Sequence, residues 1–163
     1  MVPDLDRITA LCDLLGDPQK AYQSVHLTGT NGKTSTARMV DALLRQFDLR
    51  TGRYTSPHLD SVTERICLDG SELSEEQFVD VFDEISPYVG LVDDRGDLPM
   101  TFFEVLTGMA FAAFADAPVD VAVLEVGLGG LWDATNVVQA QTCAILPIGL
   151  DHVPLLGTTL ADI

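Results

Sequence analysis

The chain has 163 residues, of which 47% are hydrophobic, enough for one domain with a real core and too apolar for a disordered polymer. Its formal net charge of −16, from 9 Lys+Arg against 25 Asp+Glu, makes a surface that repels nucleic acid and anionic membranes. Any anionic ligand must therefore be held by local donors and metal ions against the field of the whole molecule.

Cys12, Cys67 and Cys143 are odd in number and lack metal-ligand spacing, which points to free thiols in a reducing compartment. The opening residues have no secretory signal pattern, and the longest apolar stretch, residues 109–115, is too short to cross a bilayer. The expectation is a cytoplasmic protein with neither a membrane nor a nucleic acid as partner.

Taken in order, Leu5, Ile8, Leu11, Cys12, Leu14 and Leu15 repeat at helical spacing and stop at Gly16-Asp-Pro18. A short apolar strand, 24–28, runs into Leu27-Thr-Gly-Thr-Asn-Gly-Lys-Thr-Ser35, and residues 36–47 read as a helix with Met39, Val40, Leu43, Leu44 and Phe47 on one face. Strand, glycine loop with a lysine, then helix is the arrangement that cradles phosphates. Its backbone N–H groups turn onto the anion, Lys33 reaches the β- and γ-phosphates, and a hydroxyl at Thr34 or Ser35 faces Mg²⁺. The usual first glycine of such a loop is Leu27 here, with Gly29 two residues later.

Residues 52–57 form a short strand ending in a turn, and 62–68 a second strand closed by Asp69-Gly70. Ser74 and Gln77 form a capping box for a helix through residue 89, followed by a polar loop over 92–99. Residues 101–115 are a nearly all-apolar helix with Glu104 near its start, which predicts burial. The β-branched run 119–126 reads as a central parallel strand, the glycine loop 127–136 comes next, and a last strand covers 141–148. Residues 160–163 look like the start of a helix that is cut short. Strands alternating with helices predict an α/β fold, a P-loop-type, mostly parallel sheet flanked by helices.

In such a sheet ligands collect at the carboxyl ends of the strands, where the glycine loop, Ser56, Glu125 and Asp151-His152 all fall. A carboxylate at a strand end beside a phosphate loop is the usual Mg²⁺-holding arrangement, and Glu125 lies in an apolar context that demands a partner. Gly127-Leu-Gly-Gly130 is not a dinucleotide fingerprint, because Trp132 stands where the third glycine belongs. The switch-like Asp93-Asp-Arg-Gly96 lies in a polar loop and is set aside.

The glycine loop, Thr55-Ser-Pro-His-Leu59 with Glu64-Arg-Ile66, Thr101-Phe-Phe-Glu104 and Leu124-Glu-Val-Gly-Leu-Gly-Gly-Leu-Trp-Asp-Ala-Thr-Asn136 occur in that order. Together they resemble folylpolyglutamate synthase, often bifunctional with dihydrofolate synthase, in the Mur ligase superfamily. The resemblance implies an ATP-dependent ligase. ATP phosphorylates a folate or dihydropteroate carboxylate, and the amine of L-glutamate attacks the acyl phosphate. By similarity Gly29, Thr30, Asn31, Gly32, Lys33, Thr34 and Ser35 bind ATP, and Lys33, Glu125 and His152 carry the catalysis. Ser56, Glu125 and His152 match the positions that hold the two Mg²⁺ ions. Arg65, Thr101, Phe102, Phe103, Glu104, Trp132, Asp133 and Ala134 match positions near the pterin substrate.

The resemblance has departures. Leu131 stands where many members carry an arginine, and Pro154 and Leu155 replace the more polar residues usual after the histidine. It also implies that residues 1–163 are the N-terminal part of the ATP-binding central domain of a monomeric enzyme. The second metal's lysine and the glutamate-binding C-terminal domain would lie past Ile163, so this stretch alone is expected not to be a competent ligase. The rivals are another Mur-type amino-acid ligase and a nucleotide-binding protein without ligase chemistry. No Asn-Lys-x-Asp guanine motif supports the latter.

Overall fold

A computed structural model describes residues 4–163; residues 1–3 lie outside the described part. In chain order the elements are α1 (Asp6–Leu14), β1 (Gln23–Thr28), α2 (Lys33–Arg45), β2 (Thr51–Tyr54), β3 (Ile66–Leu68), β4 (Ser71–Glu72), α3 (Glu75–Asp93), α4 (Phe102–Asp116), β5 (Val121–Glu125), β6 (Thr142–Ile145) and the single turn α5 (Val153–Leu156). The strands form one sheet in the order β4-β3-β2-β5-β1-β6. Strands β2, β5, β1 and β6 run parallel, and the β3–β4 hairpin pairs antiparallel to the outer edge of β2. The α/β, mostly parallel architecture read from the sequence is thus the one observed.

Side-chain alternation divides the core between the two sheet faces. Ala122 and Leu124 of β5 join the main cluster with Ile8 and Leu11 of α1 and Phe111 and Phe114 of α4. Val123 faces the other way, into a small cluster with Leu27 and Ala37 under α2. All five residues of β5 are buried, as a strand covered on both faces requires. Strand β2 approaches α4 so closely that a Cβ on Gly52 would lie 2.6 Å from a Phe114 ring carbon.

Several local expectations are corrected. Met39, Leu43 and Phe47, expected on a core face, are exposed at 59%, 61% and 76%. The inward stripe of α2 is instead Ala37, Val40, Asp41 and Leu44, because the helix turns Asp41 inward to meet Thr51 and Arg53 of β2. Residues 62–65 form a 3-10 turn rather than strand, started by a Ser61–Glu64 capping box. The hairpin strand β4 is an addition to the expected elements; it closes on β3 through Asp69 and Gly70, both at positive φ, the backbone of a two-residue hairpin turn.

Helix α3 continues to Asp93, into the stretch expected as loop, and passes through Pro87. The Asp83 carbonyl that Pro87 leaves without an N–H donor accepts the Ser86 hydroxyl at 3.2 Å. The last strand stops at Ile145, and the chain then folds over the glycine loop, with Thr30 N donating to Pro147 O at 3.1 Å. Residues 160–162 form a turn, and the expected helix start at 160–163 is not observed.

Candidate active site

The glycine loop leaves β1 at the carboxyl edge of the sheet. Gly29 has φ +138°, and a Cβ there would lie 2.7 Å from Leu146 Cβ, so the close approach of the loop to the chain leaving β6 requires glycine. Gly32, at φ +83°, is the left-handed residue from which α2 starts. Thr30 clamps the loop to the segment after β6. Its N–H donates to Pro147 O (3.1 Å), its hydroxyl to Gly149 O (3.0 Å), and Gly149 N donates back to that hydroxyl (2.9 Å). Lys33, the first residue of α2, donates from Nζ to Gly29 O at 2.7 Å. Asn31 and Ser35 are exposed at the rim.

Register places Leu27 opposite Glu125, so the end of β5 stands beside the loop. The Thr34 hydroxyl lies 3.0 and 2.9 Å from the two Glu125 oxygens, and Ser56 N donates to Oε2 at 3.3 Å. Glu125 is 2% exposed, and burial pushes its carboxyl above the usual range, against the Thr34 and Ser56 hydrogen bonds and the charges of Lys33 and Arg38. A buried carboxylate that, among the described residues, receives only a hydroxyl and one amide and no hydrogen bond from a cationic side chain fits a hard cation bound by oxygen ligands. Of the two hydroxyls at the start of α2, Thr34 is the one that faces this carboxylate.

His152 is exposed, at φ 50°, and lines a cleft with Gly29, Lys33, Gly127 and Leu128. That cleft does not include Glu125 or Ser56. Among the described residues no group of three or more His, Cys, Asp or Glu side chains is placed to hold a metal ion.

The residues matched to the substrate divide into exposed and buried sets. Thr101 caps α4 and forms a capping box with Glu104, a helix-start signal that the sequence carries inside the substrate motif. Glu104 is buried, accepts Thr101 N at 2.7 Å and pairs with Arg7 at 3.0 and 3.2 Å. The Arg65 guanidinium lies 5.4 Å from the exposed Phe102 ring, and its Nε donates to His58 Nδ1 at 2.9 Å. Glu64 accepts Ser61, Leu59 and Asp60 N–H groups, which lower its carboxyl to about 2. Phe103 packs on Tyr54 and against Gly127. Leu131 and Trp132 are exposed, whereas Asp133 and Ala134 are buried.

Arg7, His26, Thr28 and Thr135 escape the sequence reading, though each supports the site. A histidine alternating with Val25 and Leu27 in an apolar strand is a signal for His26, since a buried imidazole needs a partner. Asp133-x-Thr135 is likewise the pattern of a side chain bonding to backbone two residues on. Arg7 has no such signal, because Glu104 lies 97 residues away.

No protein-family model matches the chain. The dihydrofolate synthase/folylpolyglutamate synthase of Mycobacterium tuberculosis is 58% identical over 99% of the chain, and that of Bacillus subtilis 36% over 99%. The relatives of this chain are folylpolyglutamate synthases. The structure of Mycobacterium tuberculosis folylpolyglutamate synthase with ADP and AMPPCP superposes with a TM-score of 0.93 at 59% identity, over 98% of the chain. E. coli FolC with ADP superposes at 0.90 and 37% identity, over 99%. The chain spans about a third of the length of these folylpolyglutamate synthases, 34% and 38% of the two curated relatives. The six-stranded, mostly parallel sheet is therefore the fold on which folylpolyglutamate synthases have been solved with nucleotide bound.

Proposed function

We propose that the intact protein is an ATP-dependent ligase that adds L-glutamate to a folate or to dihydropteroate through an acyl phosphate. The observation that carries this reading is the Thr34 hydroxyl against the buried Glu125 carboxylate, at the lip of a glycine loop that starts a helix. The loop amides of residues 29–33 and the amino end of α2 take the phosphates of ATP, and Lys33 leaves Gly29 O to reach the β- and γ-phosphates. On this reading Glu125, Thr34 and the Ser56 hydroxyl would hold one Mg²⁺ and His152, from its own cleft, would serve a second; bound there, the ions would supply charge neutralisation between the incoming carboxylate and the γ-phosphate.

The substrate carboxylate oxygen then attacks the γ-phosphorus and ADP leaves. The glutamate amine attacks the acyl carbon, loses a proton, and inorganic phosphate departs. Lys33 offsets charge in the first step. The Arg65 guanidinium over the exposed Phe102 ring offers an aromatic and cationic surface suited to a flat heteroaromatic acid. We assign the protein to the cytoplasm on its three unpaired cysteines and take it as monomeric by family resemblance. Among the described residues no helix is long and apolar enough to cross a membrane.

The test is ADP release and product mass with the intact protein, ATP, glutamate and a panel of folates and dihydropteroate. Sustained ADP release must require both acid and glutamate. Lys33→Ala and Glu125→Ala should each lower turnover by about 10³ or more. Normal rates in either variant remove its assigned role, ligation of a different acid favours another Mur-type ligase, and nucleotide binding without ligation defeats the reading.

A further inference from the structure

Strand β1 buries a polar side chain that the phosphate site does not use. His26 points to the α4 side of the sheet, and its Nε2 lies 2.7 Å from the hydroxyl of the fully buried Thr135. That hydroxyl is 2.5 Å from Asp133 Oδ1, which also accepts Thr135 N at 3.0 Å. Asp133 Oδ2 accepts the N–H groups of Gly127 and Leu128, each at 2.9 Å. All four acceptor positions of the carboxylate are thus filled from within the chain.

The proton order is set by these partners. Burial pushes the Asp133 carboxyl up, against its hydrogen bonds, but with three amide donors and a hydroxyl filling all four acceptor positions no place is left for a carboxyl proton, so the single Thr135 hydroxyl proton points to Asp133. His26 must then donate from Nε2 into the Thr135 oxygen. Burial lowers the His26 pKa and keeps the ring neutral, in agreement with one donor at Nε2. The chain of bonds therefore starts three residues before Gly29 and ends on the two amides just past Glu125-Val126. A second tie, from the Thr28 hydroxyl to Gly129 O at 2.7 Å, joins the same two segments. A Cβ at Gly127 would lie 2.6 Å from Phe103 Cζ and 3.1 Å from Asp133 Oδ2, so residue 127 is closely packed by both the aromatic ring and the Asp133 carboxylate.

We propose that His26 and Thr135 are positioning residues that act through Asp133 to hold residues 127–129 against the glycine loop, and so keep Glu125 in register with the phosphate site. The turnover part rests on the ligase reading; the loop-ordering part does not. The neighbouring pairing of Leu27 with Glu125 explains the arrangement: the backbone ladder sets the strand ends side by side, but its last bond is Val126 N to Leu27 O at 2.9 Å, and side chains must order residues 127–129.

The test compares Thr135→Val, which removes the hydroxyl at similar size, with Thr135→Ser, which restores it. His26→Gln keeps a donor near the Nε2 position and His26→Leu removes it. In the intact protein, hydrogen exchange at Gly127 and Leu128 should quicken about tenfold in Thr135→Val and His26→Leu, the loss of about one buried hydrogen bond. Thr135→Ser and His26→Gln should stay near the unmodified rates. Turnover should fall about tenfold in the same two variants while ADP affinity, set by the glycine loop, stays within about threefold.

Unchanged exchange in Thr135→Val with thermal unfolding intact overturns the proposal. Equal damage from Thr135→Ser and Thr135→Val overturns the hydroxyl's role, since packing then explains the effect. Faster exchange with normal turnover overturns the positioning role and leaves the ligase reading standing. An unmodified protein that ligates nothing overturns the ligase reading and the turnover part, and the exchange comparison then decides the loop-ordering part alone.

Discussion

Glu104→Ala is expected to destabilise the fold from a position that the sequence presented as part of a substrate motif. The carboxylate is 7% exposed and faces Arg7, 14% exposed, at 3.0 Å. Removing it leaves a mostly buried guanidinium whose remaining partner, Asp4, is 3.6 Å away and 37% exposed. Breaking a buried pair by deleting one member costs about 3–5 kcal/mol, less where water and a second carboxylate still reach the cation. The Thr101 N–H also loses its acceptor, about 1 kcal/mol. The expected total is about 3 kcal/mol, which lowers the urea midpoint by about 1.5 M at a slope of about 2 kcal/mol per M. Far-UV circular dichroism through a urea titration reads it. The double change Arg7→Met with Glu104→Leu leaves no orphaned charge and should lose no more than about 1.5 kcal/mol. A Glu104→Ala midpoint within about 0.25 M of the unmodified protein, or a double variant no more stable than the single one, refutes the reasoning.

Gly29→Ala forces a side chain into a positive-φ position and against Leu146, so ADP binding measured by calorimetry should weaken about tenfold or more; unchanged affinity refutes the requirement for close approach. Gly52→Ala drives a methyl into the buried Phe114 ring and should destabilise by about 1–3 kcal/mol, seen as a lower thermal midpoint, while ADP affinity of the folded protein is unchanged. Glu64 has a folded pKa of about 2 against an ordinary 4.5, so its contribution to stability is full above about 4.5 and is lost as pH falls towards 2. Urea midpoints at pH 6 and pH 3 should therefore fall more in the unmodified protein than in Glu64→Gln; equal falls refute the role of the three amide bonds around Glu64. Thr34→Val removes the hydroxyl beside Glu125 and should reduce turnover about 10²-fold, with Thr34→Ser restoring most of it. Failure of the serine to rescue refutes that assignment.

The elements legible in the sequence are those whose cues are local. A glycine loop between an apolar strand and a helix, the capping box at Ser74 and the β-branched run of β5 each announce their backbone within a few residues. The same locality explains the errors. Helical spacing identifies α2 but not the angle at which it docks, because Met39 and Val40 lie on adjacent stripes and only the buried Asp41–Arg53 pair chooses between them. The expected strand 62–68 is half turn because Glu64 gathers backbone donors from residues 59–61, a bond pattern invisible in the alternation of apolar residues.

The amino-acid sequence by itself determined the α/β class, the phosphate-cradling loop and the carboxylate at the end of a buried strand, because periodicity, glycine placement and apolar context are properties of short stretches. Tertiary structure alone decided which hydroxyl meets Glu125, that Arg7 answers Glu104, and that His26 and Thr135 tie the second glycine loop to the first. Those partners are 91, 97 and 109 residues apart. The parallel pairing of β1 with β5 and the packing of α1 against α4 bring them together, through burial and hydrogen bonding that no stretch of sequence displays.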